Sequence, residues 1–338
     1  MMTLENKTIL LLLLTGFLSV LTSLTHGASE CEPVGDIQFI CGIIDAEDII
    51  EIPNSEVVIA SGRTSPSTGS IYAVNSQNFQ SREIFPQNAL EARLNTSLYK
   101  DCPSEATSFQ PHGVTYRLGV DGIHTLYVVG HGEREAIEVF ELNVADELPS
   151  LRWVGCIVAP DSVARFNAVT SLPDGAIAVT DLNRAGGAVW EWSVDLGWRI
   201  IPGSEMVGAN GIVSSEDGNW LYIAEYFAKN IVKLSRGRAT PLLERKNVGY
   251  MVDNIRWSQD GSTLLLAGHD RNCDPQFNCT MSDLTNILRM NPVSLDTESV
   301  LLWRSLDVFP VSTVAIEVDE EIWLGGIRGT DRLVRHPR

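Results

Sequence analysis

A tight turn followed by a short apolar strand recurs along this chain, and the recurrence limits the folds that it can adopt. Turn segments such as Pro173-Asp174-Gly175 and Glu216-Asp217-Gly218-Asn219 are rich in Asp, Asn and Gly, which reach the left-handed backbone conformations of tight hairpins. An apolar strand that ends in small or polar residues follows each turn. Six such strands occur, at residues 57–62, 126–131, 176–181, 221–226, 264–269 and 322–327.

The spacing of these strands predicts a closed repeat architecture. Neighbouring strands start roughly 40 to 70 residues apart, which is room for about four short strands with their turns. Several are followed by a further strand, as in Ser70-Ile71-Tyr72-Ala73-Val74 and Asn230-Ile231-Val232-Lys233-Leu234, and helical periodicity is scarce. Six units of this size predict an all-β fold, a six-bladed β-propeller. The alternative is one long β-sandwich or two, and the regular repeat favours the propeller.

Side chains with oxygen ligands precede four of these strands at the same place in the repeat. They lie in Asp45-Ala46-Glu47-Asp48, Phe166-Asn167-Ala168, Ala209-Asn210-Gly211 and Val252-Asp253-Asn254. Any one of them alone is equally well explained as a buried turn amide or a strand cap. In a propeller, however, the innermost strands line the central channel, so equivalent positions converge on one axis.

This set of side chains predicts a calcium ion in the central channel. Carboxylate and amide oxygens without sulfur suit a hard cation, and the prominence of amides favours Ca²⁺ over Mg²⁺. Two carboxylates would balance the charge of a divalent ion and leave room for a substrate oxygen. The predicted ligands are Glu47, Asn167, Asn210, Asp253 and Asn254.

Two histidines are candidates for catalysis beside that ion. His112 lies in Pro111-His112-Gly113-Val114, at the inner-strand position of its own repeat, and His131 ends the next strand. A histidine near a bound cation can act as general base on water, and a second can carry the proton away. His269 ends another strand and is a candidate for the substrate mouth. The chain has neither a Gly-x-Ser-x-Gly elbow nor a phosphate-binding glycine loop.

Charge and the N-terminus restrict partners and location. A formal net charge of −18 excludes nucleic acid as an expected partner, because a phosphate backbone requires a basic surface. Lys7, an apolar run and the small residues Gly27 and Ala28 predict a signal peptide or an uncleaved N-terminal anchor at residues 1–28, with the propeller at 29–338. The protein is therefore expected to be exported, secreted or periplasmic, and to meet a membrane only through that anchor.

Export makes disulfides plausible for the six cysteines of the chain. An even number favours bridges, although the sequence does not give the pairing. Cys273 and Cys279 are close enough in the sequence to close a small loop, and we expect this disulfide before any other pairing.

Several segments resemble the paraoxonases, which are arylesterase/lactonases, and more widely the gluconolactonase, regucalcin and strictosidine-synthase-like propellers. The similar segments begin with residues 46–54 and continue with Pro111-His112-Gly113-Val114, Ala209-Asn210-Gly211-Ile212 and Val252-Asp253-Asn254-Ile255. They appear in the family's order between about residues 36 and 330. The resemblance implies a six-bladed propeller with one catalytic calcium, the five ligands named above and the histidine pair His112 and His131.

The resemblance also implies features that this chain matches only in part. A second, structural calcium would use Asp48 and the backbone oxygen of Val114, but Ala168 stands where an aspartate is expected. A disulfide between the first and last strands is also implied. No cysteine follows Cys279, so we expect strand pairing to close the ring without it.

The expected function is calcium-dependent hydrolysis of lactones or carboxylic (aryl) esters, with a small-molecule substrate. The alternative is a non-catalytic exported propeller that uses calcium as a structural pin and binds a partner through its loops. The histidine pair favours catalysis, since a structural pin needs no histidines. A strictosidine-synthase-like condensation is a further alternative, and the ligand set argues against it.

Overall fold

Six antiparallel sheets of four strands each make up the fold. The computed structural model describes residues 31–146, 148–160, 164–184, 186–273 and 279–338, and Glu32–Arg338 forms one compact unit. Five of these sheets are built from hairpins between sequence neighbours, as the repeated turns predicted. The predicted all-β, six-bladed β-propeller is confirmed.

Five blades take four consecutive strands, from the channel outwards. Blade 1 contains β2 (Ala46–Ile52), β3 (Val57–Arg63), β4 (Gly69–Asn75) and β5 (Ser81–Phe85), and blade 2 contains β6 (Phe109–Arg117), β7 (Ile123–Gly132), β8 (Ala136–Asn143) and β9 (Ser150–Val158). Blade 3 contains β10 (Phe166–Ser171), β11 (Ile177–Asp181), β12 (Val189–Ser193) and β13 (Gly197–Ile200). Blade 4 contains β14 (Ala209–Ser214), β15 (Trp220–Glu225), β16 (Asn230–Ser235) and β17 (Leu243–Asn247), with a short 3₁₀ helix (Tyr226–Ala228) after β15. Blade 5 contains β18 (Met251–Trp257), β19 (Leu264–Cys273), β20 (Cys279–Met290) and β21 (Thr297–Arg304).

The sixth blade joins the two ends of the chain. It combines β22 (Val311–Val318), β23 (Glu321–Ile327) and β24 (Arg332–Pro337) with the N-terminal strand β1 (Gln38–Cys41) as its outer strand. In β1, Phe39 pairs with Val334 and Ile40 with Leu333. The ring is therefore closed by pairing of the first strand with the last, as expected for a chain without a cysteine near its C-terminus.

The apolar core lies between the faces of adjacent blades. One cluster packs Ile40 and Val314 of blade 6 against Ile49 and Val58 of blade 1. Equivalent clusters join blades 3 and 4, blades 4 and 5, and blades 5 and 6, and a larger one joins blades 1 to 3. Both faces of most strands are therefore buried, which explains why they read as continuous apolar runs rather than as alternating ones.

The predicted disulfides are confirmed at four of the six cysteines. Cys102, in the long connection between β5 and β6, is bonded to Cys156 of β9, and Cys31 and Cys41 are also disulfide-bonded. Cys273 and Cys279 are backbone register partners, but their side chains lie outside the described part of the chain.

The predicted signal or anchor at residues 1–28 also lies outside the described residues and stays a prediction, as does the boundary at residue 29. No helix in the described ranges has the length and hydrophobicity needed to cross a membrane.

Closure by β1 leads to a stability prediction. Changing Ile40 to Ala should reduce the free energy of unfolding by about 2 to 4 kcal/mol, because a side chain that is 3% exposed would leave a cavity between blades 6 and 1. Urea titration monitored by tryptophan fluorescence measures it. Val293→Ala is the control, since Val293 is 76% exposed. Equal unfolding midpoints for the two variants would show that β1 contributes little to closure.

Candidate metal centre

A β-bulge interrupts the inner strand of every blade at the same level. The register shifts occur between Ala46 and Asp48, Pro111 and Val114, Phe166 and Val169, Ala209 and Ile212, Val252 and Asn254, and Ser312 and Val314. A bulge places an unpaired residue in the strand and redirects its side chain. The bulged residues are Glu47, His112, Asn167, Asn210, Asp253 and Thr313. In blades 2, 3 and 4 the following residue also lies in the bulge. Five of these six are residues that the sequence singled out.

Two glycines allow neighbouring bulges to come this close. A Cβ atom on Gly113 would lie 2.5 Å from the backbone oxygen of Asn167, and one on Gly211 would lie 2.5 Å from that of Asp253. Both separations are too short for any side chain. Each glycine directly follows a bulged polar residue, so the sequence pairs His112-Gly113 and Asn210-Gly211 have a geometric cause.

The structure brings all five predicted ligands into one connected, buried cluster. The Nδ2 atom of Asn254 donates to Oε1 of Glu47 at 3.0 Å, and Nδ2 of Asn210 donates to Oδ1 of Asp253 at 2.9 Å. Nδ2 of Asn167 lies 3.3 Å from Nε2 of His112. The five predicted ligand residues are between 1% and 7% exposed, so the cluster is almost entirely removed from water.

The orientation of the amides leaves a set of buried oxygens without partners. Four oxygens in this cluster accept no hydrogen bond: Oε2 of Glu47 and the Oδ1 atoms of Asn167, Asn210 and Asn254. A buried polar atom without a partner costs about 1 to 3 kcal/mol. Hard cations bind oxygen ligands of this kind, and a shared Ca²⁺ would satisfy all four. The residues present therefore fit a calcium ion.

The pKa values of the two carboxyls in the cluster also favour a bound cation. Burial raises the pKa of the Glu47 carboxyl, and it raises the pKa of the Asp253 carboxyl to about 6. Two desolvated carboxyls stay ionised more easily when a divalent cation lies between them. In the described part of the chain no three His, Cys, Asp or Glu side chains gather as a metal site. The candidate centre instead combines two carboxylates with three neutral amides.

His112 and His131 form a hydrogen-bonded pair beside the cluster. Nδ1 of His112 lies 2.8 Å from Nε2 of His131, and Nε2 of His112 lies 3.3 Å from Oε1 of Glu47. Burial, and to a smaller degree the positive charges of Arg63 and His131, lower the pKa of His112 well below its usual value. His112 is therefore neutral near pH 7 and can accept a proton.

His269, the candidate for the substrate mouth, is buried in the wall of the same cluster. It is 1% exposed, and its Nδ1 atom lies 3.8 Å from Oδ2 of Asp253. The Tyr226 hydroxyl lies 2.7 Å from Nε2 of His269. This contact places Tyr226, which sequence reasoning did not single out, close to the ligand set.

The residues expected to hold a second calcium are arranged differently. The Arg256 guanidinium donates through NH2 both to Oδ2 of Asp48 and to the backbone oxygen of Val114, the latter at 3.2 Å. Ala168 contributes only a methyl group, and its backbone N–H donates to the Thr180 hydroxyl at 3.0 Å. A guanidinium thus lies where the resemblance implies an ion.

Sequence reasoning also missed Thr313 and Glu135. The Thr313 hydroxyl donates to the backbone oxygen of Glu47 at 2.6 Å and completes the ring in blade 6. Its position ahead of the apolar strand at 322–327 was a usable signal. Glu135 accepts from Nδ1 of His131 at 2.8 Å, and no pattern in the sequence connects it to the channel.

The fold and this site define a class of protein, a six-bladed propeller with a buried oxygen-rich cluster and a histidine pair on its axis. No family model matches the chain. Among characterised proteins it is similar to serum paraoxonase/lactonase 3 of Oryctolagus cuniculus, with 26% identity over 312 residues and 83% of each chain covered. The human serum paraoxonase/lactonase 3 is 25% identical over 275 residues, with 72% of each chain covered. The resemblance to the paraoxonases is thereby confirmed as a distant homology.

Comparison of structures agrees on the fold. A calcium-binding protein, regucalcin, from Agrobacterium tumefaciens superposes with a TM-score of 0.55 at 9% identity, covering 87% of this chain and 90% of that chain. At this identity the likeness concerns the propeller alone.

The ligand cluster predicts a calcium affinity that depends on Asp253. Changing Asp253 to Asn keeps the shape but removes one of two negative charges, so calcium affinity should fall at least about tenfold, because ligand charge sets affinity. Calorimetric titration of chelator-treated protein measures the affinity. Asp121→Asn is the matched control, since Asp121 is exposed in a turn at φ +54° that Asn tolerates. Unchanged affinity in Asp253→Asn would place the ion elsewhere.

Proposed function

We propose that this protein is a calcium-dependent hydrolase of lactones or carboxylic (aryl) esters. The observation that carries the proposal is the set of four unpartnered buried oxygens, next to a neutral histidine whose Nε2 atom lies 3.3 Å from Oε1 of Glu47. A site built only to pin the fold would need the oxygens and not the histidines. The distant homology to paraoxonase/lactonases supports the same reaction class.

Glu47, Asn167, Asn210, Asp253 and Asn254 would hold the ion. When bound, calcium supplies Lewis-acid polarisation of the substrate carbonyl and stabilises the negative charge that develops on its oxygen. The two carboxylates would neutralise the ion. The amides of Asn210 and Asn254 donate hydrogen bonds that fix the carboxylate positions, and the amide of Asn167 contacts Nε2 of His112. The amide N–H groups thereby hold the acceptors in place before any substrate enters.

His112 is the proposed general base. Its Nε2 atom faces the cluster, 3.3 Å from both Glu47 Oε1 and Asn167 Nδ2. The donor from Asn167 orients the ring, and the lowered pKa of His112 keeps its lone pair available at neutral pH. After His112 takes a proton from water at Nε2, its Nδ1 proton can pass to Nε2 of His131, 2.8 Å away.

The expected setting of this reaction is outside the cell. Disulfide bonds at four of the cysteines are typical of an oxidising compartment. The acidic net charge of the chain raises the local concentration of cations. Export through the N-terminal segment, with or without an anchor, is part of the proposal.

The proposal predicts hydrolysis that depends on calcium. Purified protein should hydrolyse at least one member of a panel of aryl acetates and of γ- and δ-lactones with varied acyl chains. Activity should disappear after chelation and return with added Ca²⁺, because the ion polarises the reacting carbonyl. Initial rates by pH-stat titration or phenol release measure it.

A histidine variant separates catalysis from binding. His112→Gln should lower kcat at least about 100-fold while calcium affinity remains close to that of the native chain. His336→Gln is the control, since His336 lies on β24, the third strand from the channel. Full activity of His112→Gln would remove the base from the mechanism. No hydrolysis of any panel member by folded, calcium-loaded protein would favour the non-catalytic binding propeller.

A further inference from the structure

The hydrogen-bonded histidine pair continues to a third residue, Glu135, which lies in the short link between β7 and β8. We propose that Glu135 is a positioning residue that fixes the tautomers of His131 and His112. This inference rests on the proposed function, because it assigns a direction to the proton transfer described there.

Both carboxylate oxygens of Glu135 are occupied. Oε2 lies 2.8 Å from Nδ1 of His131, and Oε1 accepts from the backbone N–H of Phe166 at 2.5 Å. Phe166 directly precedes the predicted ligand Asn167, so Glu135 ties the histidine pair to the bulge of blade 3. The side chain of Glu135 is 16% exposed, which keeps this contact largely shielded from water.

The contacts define which nitrogen carries each proton. An ionised carboxylate only accepts, so Nδ1 of His131 must be the protonated nitrogen. Nε2 of His131 is then an acceptor, and Nδ1 of His112 must be the donor across the 2.8 Å contact. The remaining nitrogen, Nε2 of His112, is therefore unprotonated, and it is the one that faces the ligand cluster, where Nδ2 of Asn167 lies 3.3 Å away.

The same arrangement stabilises the charge that moves. When His112 accepts a proton at Nε2 and passes its Nδ1 proton on, the positive charge settles on His131. The Glu135 carboxylate stabilises that imidazolium without accepting the proton itself. A carboxylate that orients and stabilises a histidine in this way strongly increases kcat in other hydrolases.

Replacing Glu135 with Gln tests the assignment. Gln keeps an oxygen for the Phe166 N–H but turns an NH₂ group towards His131, which reverses the donor order along the pair and leaves Nε2 of His112 protonated. We expect kcat to fall at least about 100-fold, with KM and calcium affinity changed less than about twofold. Glu135→Asp should retain more activity than Glu135→Gln because it keeps the carboxylate. Glu133→Gln, in the same link but bound to Thr107, is the matched control.

A second readout does not depend on activity. In ¹⁵N-histidine-labelled protein, long-range ¹H–¹⁵N spectra report which ring nitrogen carries the proton, and the His112→Gln spectrum assigns the signals. The native chain should show both rings protonated at Nδ1, and Glu135→Gln should show both at Nε2. The same tautomers in native and Glu135→Gln protein would overturn the proposal. If no substrate is hydrolysed but the tautomers reverse, the positioning role stands and the hydrolase function fails.

A separate observation supports a second inference, about the number of ions. We infer that the Arg256 guanidinium replaces a second calcium, so that the chain binds one ion. Arg256 is 7% exposed, and its donors reach three blades. Nε donates to the Ile49 oxygen at 3.1 Å, NH1 to the Ile255 oxygen at 3.0 Å, and NH2 to Asp48 and to the Val114 oxygen.

These contacts occupy most of the groups that would hold an ion at this place, and of the Asp48 carboxylate only Oδ1 remains without a hydrogen bond. The Val114 N–H also donates to Oδ2 of Asp48 at 2.8 Å, so this oxygen already has two donors. Ala168 offers no carboxylate. A guanidinium has a permanent charge and several directed donors, and it links the inner strands of blades 1, 2 and 5 without any metal.

The number of calcium ions bound per native chain tests this inference, and this measurement does not depend on the folding of a variant. Equilibrium dialysis with ⁴⁵Ca should give one ion per chain, and Asp253→Asn should bind it at least about tenfold more weakly. Two ions per chain, or one ion whose affinity does not change in Asp253→Asn, would overturn the inference. Under chelation, Arg256→Met should also melt several degrees below the native chain, whereas Arg245→Met, which removes a half-exposed pair with Glu225, should melt close to it. None of these readouts requires hydrolysis, so they remain valid if the proposed function fails.

Discussion

The burial of polar groups on the propeller axis is the constraint on which the rest of this structure depends. Six inner strands meet there, and each carries a bulge that turns a polar residue inwards. Such groups lose their water and must find partners within the ring. The closure of the ring by β1 and the glycines that let bulges approach both serve this convergence, because small displacements would separate the partners.

The axis contains two different solutions to the same electrostatic problem. Adjacent carboxylates in the bulge of blade 1 enter different environments. Asp48 is neutralised by the permanent charge of Arg256, whereas Glu47 joins Asp253 and three amides in a cluster with unpartnered oxygens. The first arrangement pairs a carboxylate with a guanidinium of the same chain, and the second fits a calcium ion. This contrast explains how two neighbouring carboxylates can differ, one being paired with a guanidinium and the other being available to a metal ion.

Chemistry on this axis depends on details that the fold does not determine. Propellers support many functions, so the proposed hydrolase function rests on the position of the histidine pair and on distant homology. The order of contacts from Glu135 through His131 to His112 gives the pair a direction. A pair without that carboxylate could exchange tautomers, and the nitrogen that faces the cluster would lack a free lone pair for part of the time.

The sequence by itself determined the fold class, the number of blades and the five clustered side chains. Turns such as Pro173-Asp174-Gly175 and the equal placement of Asn167 and Asn210 follow from local propensity and repetition, which are written in the order of residues. Only the tertiary structure decided the roles of Glu135, Arg256, Tyr226 and Thr313. Their partners lie in other blades or across a link. Arg256 and Asp48, for example, are far apart in the sequence, and the closing of the ring brings them together. Repetition along a chain is visible in its sequence, whereas a contact between unlike positions of different repeats exists only after those repeats have packed around one axis.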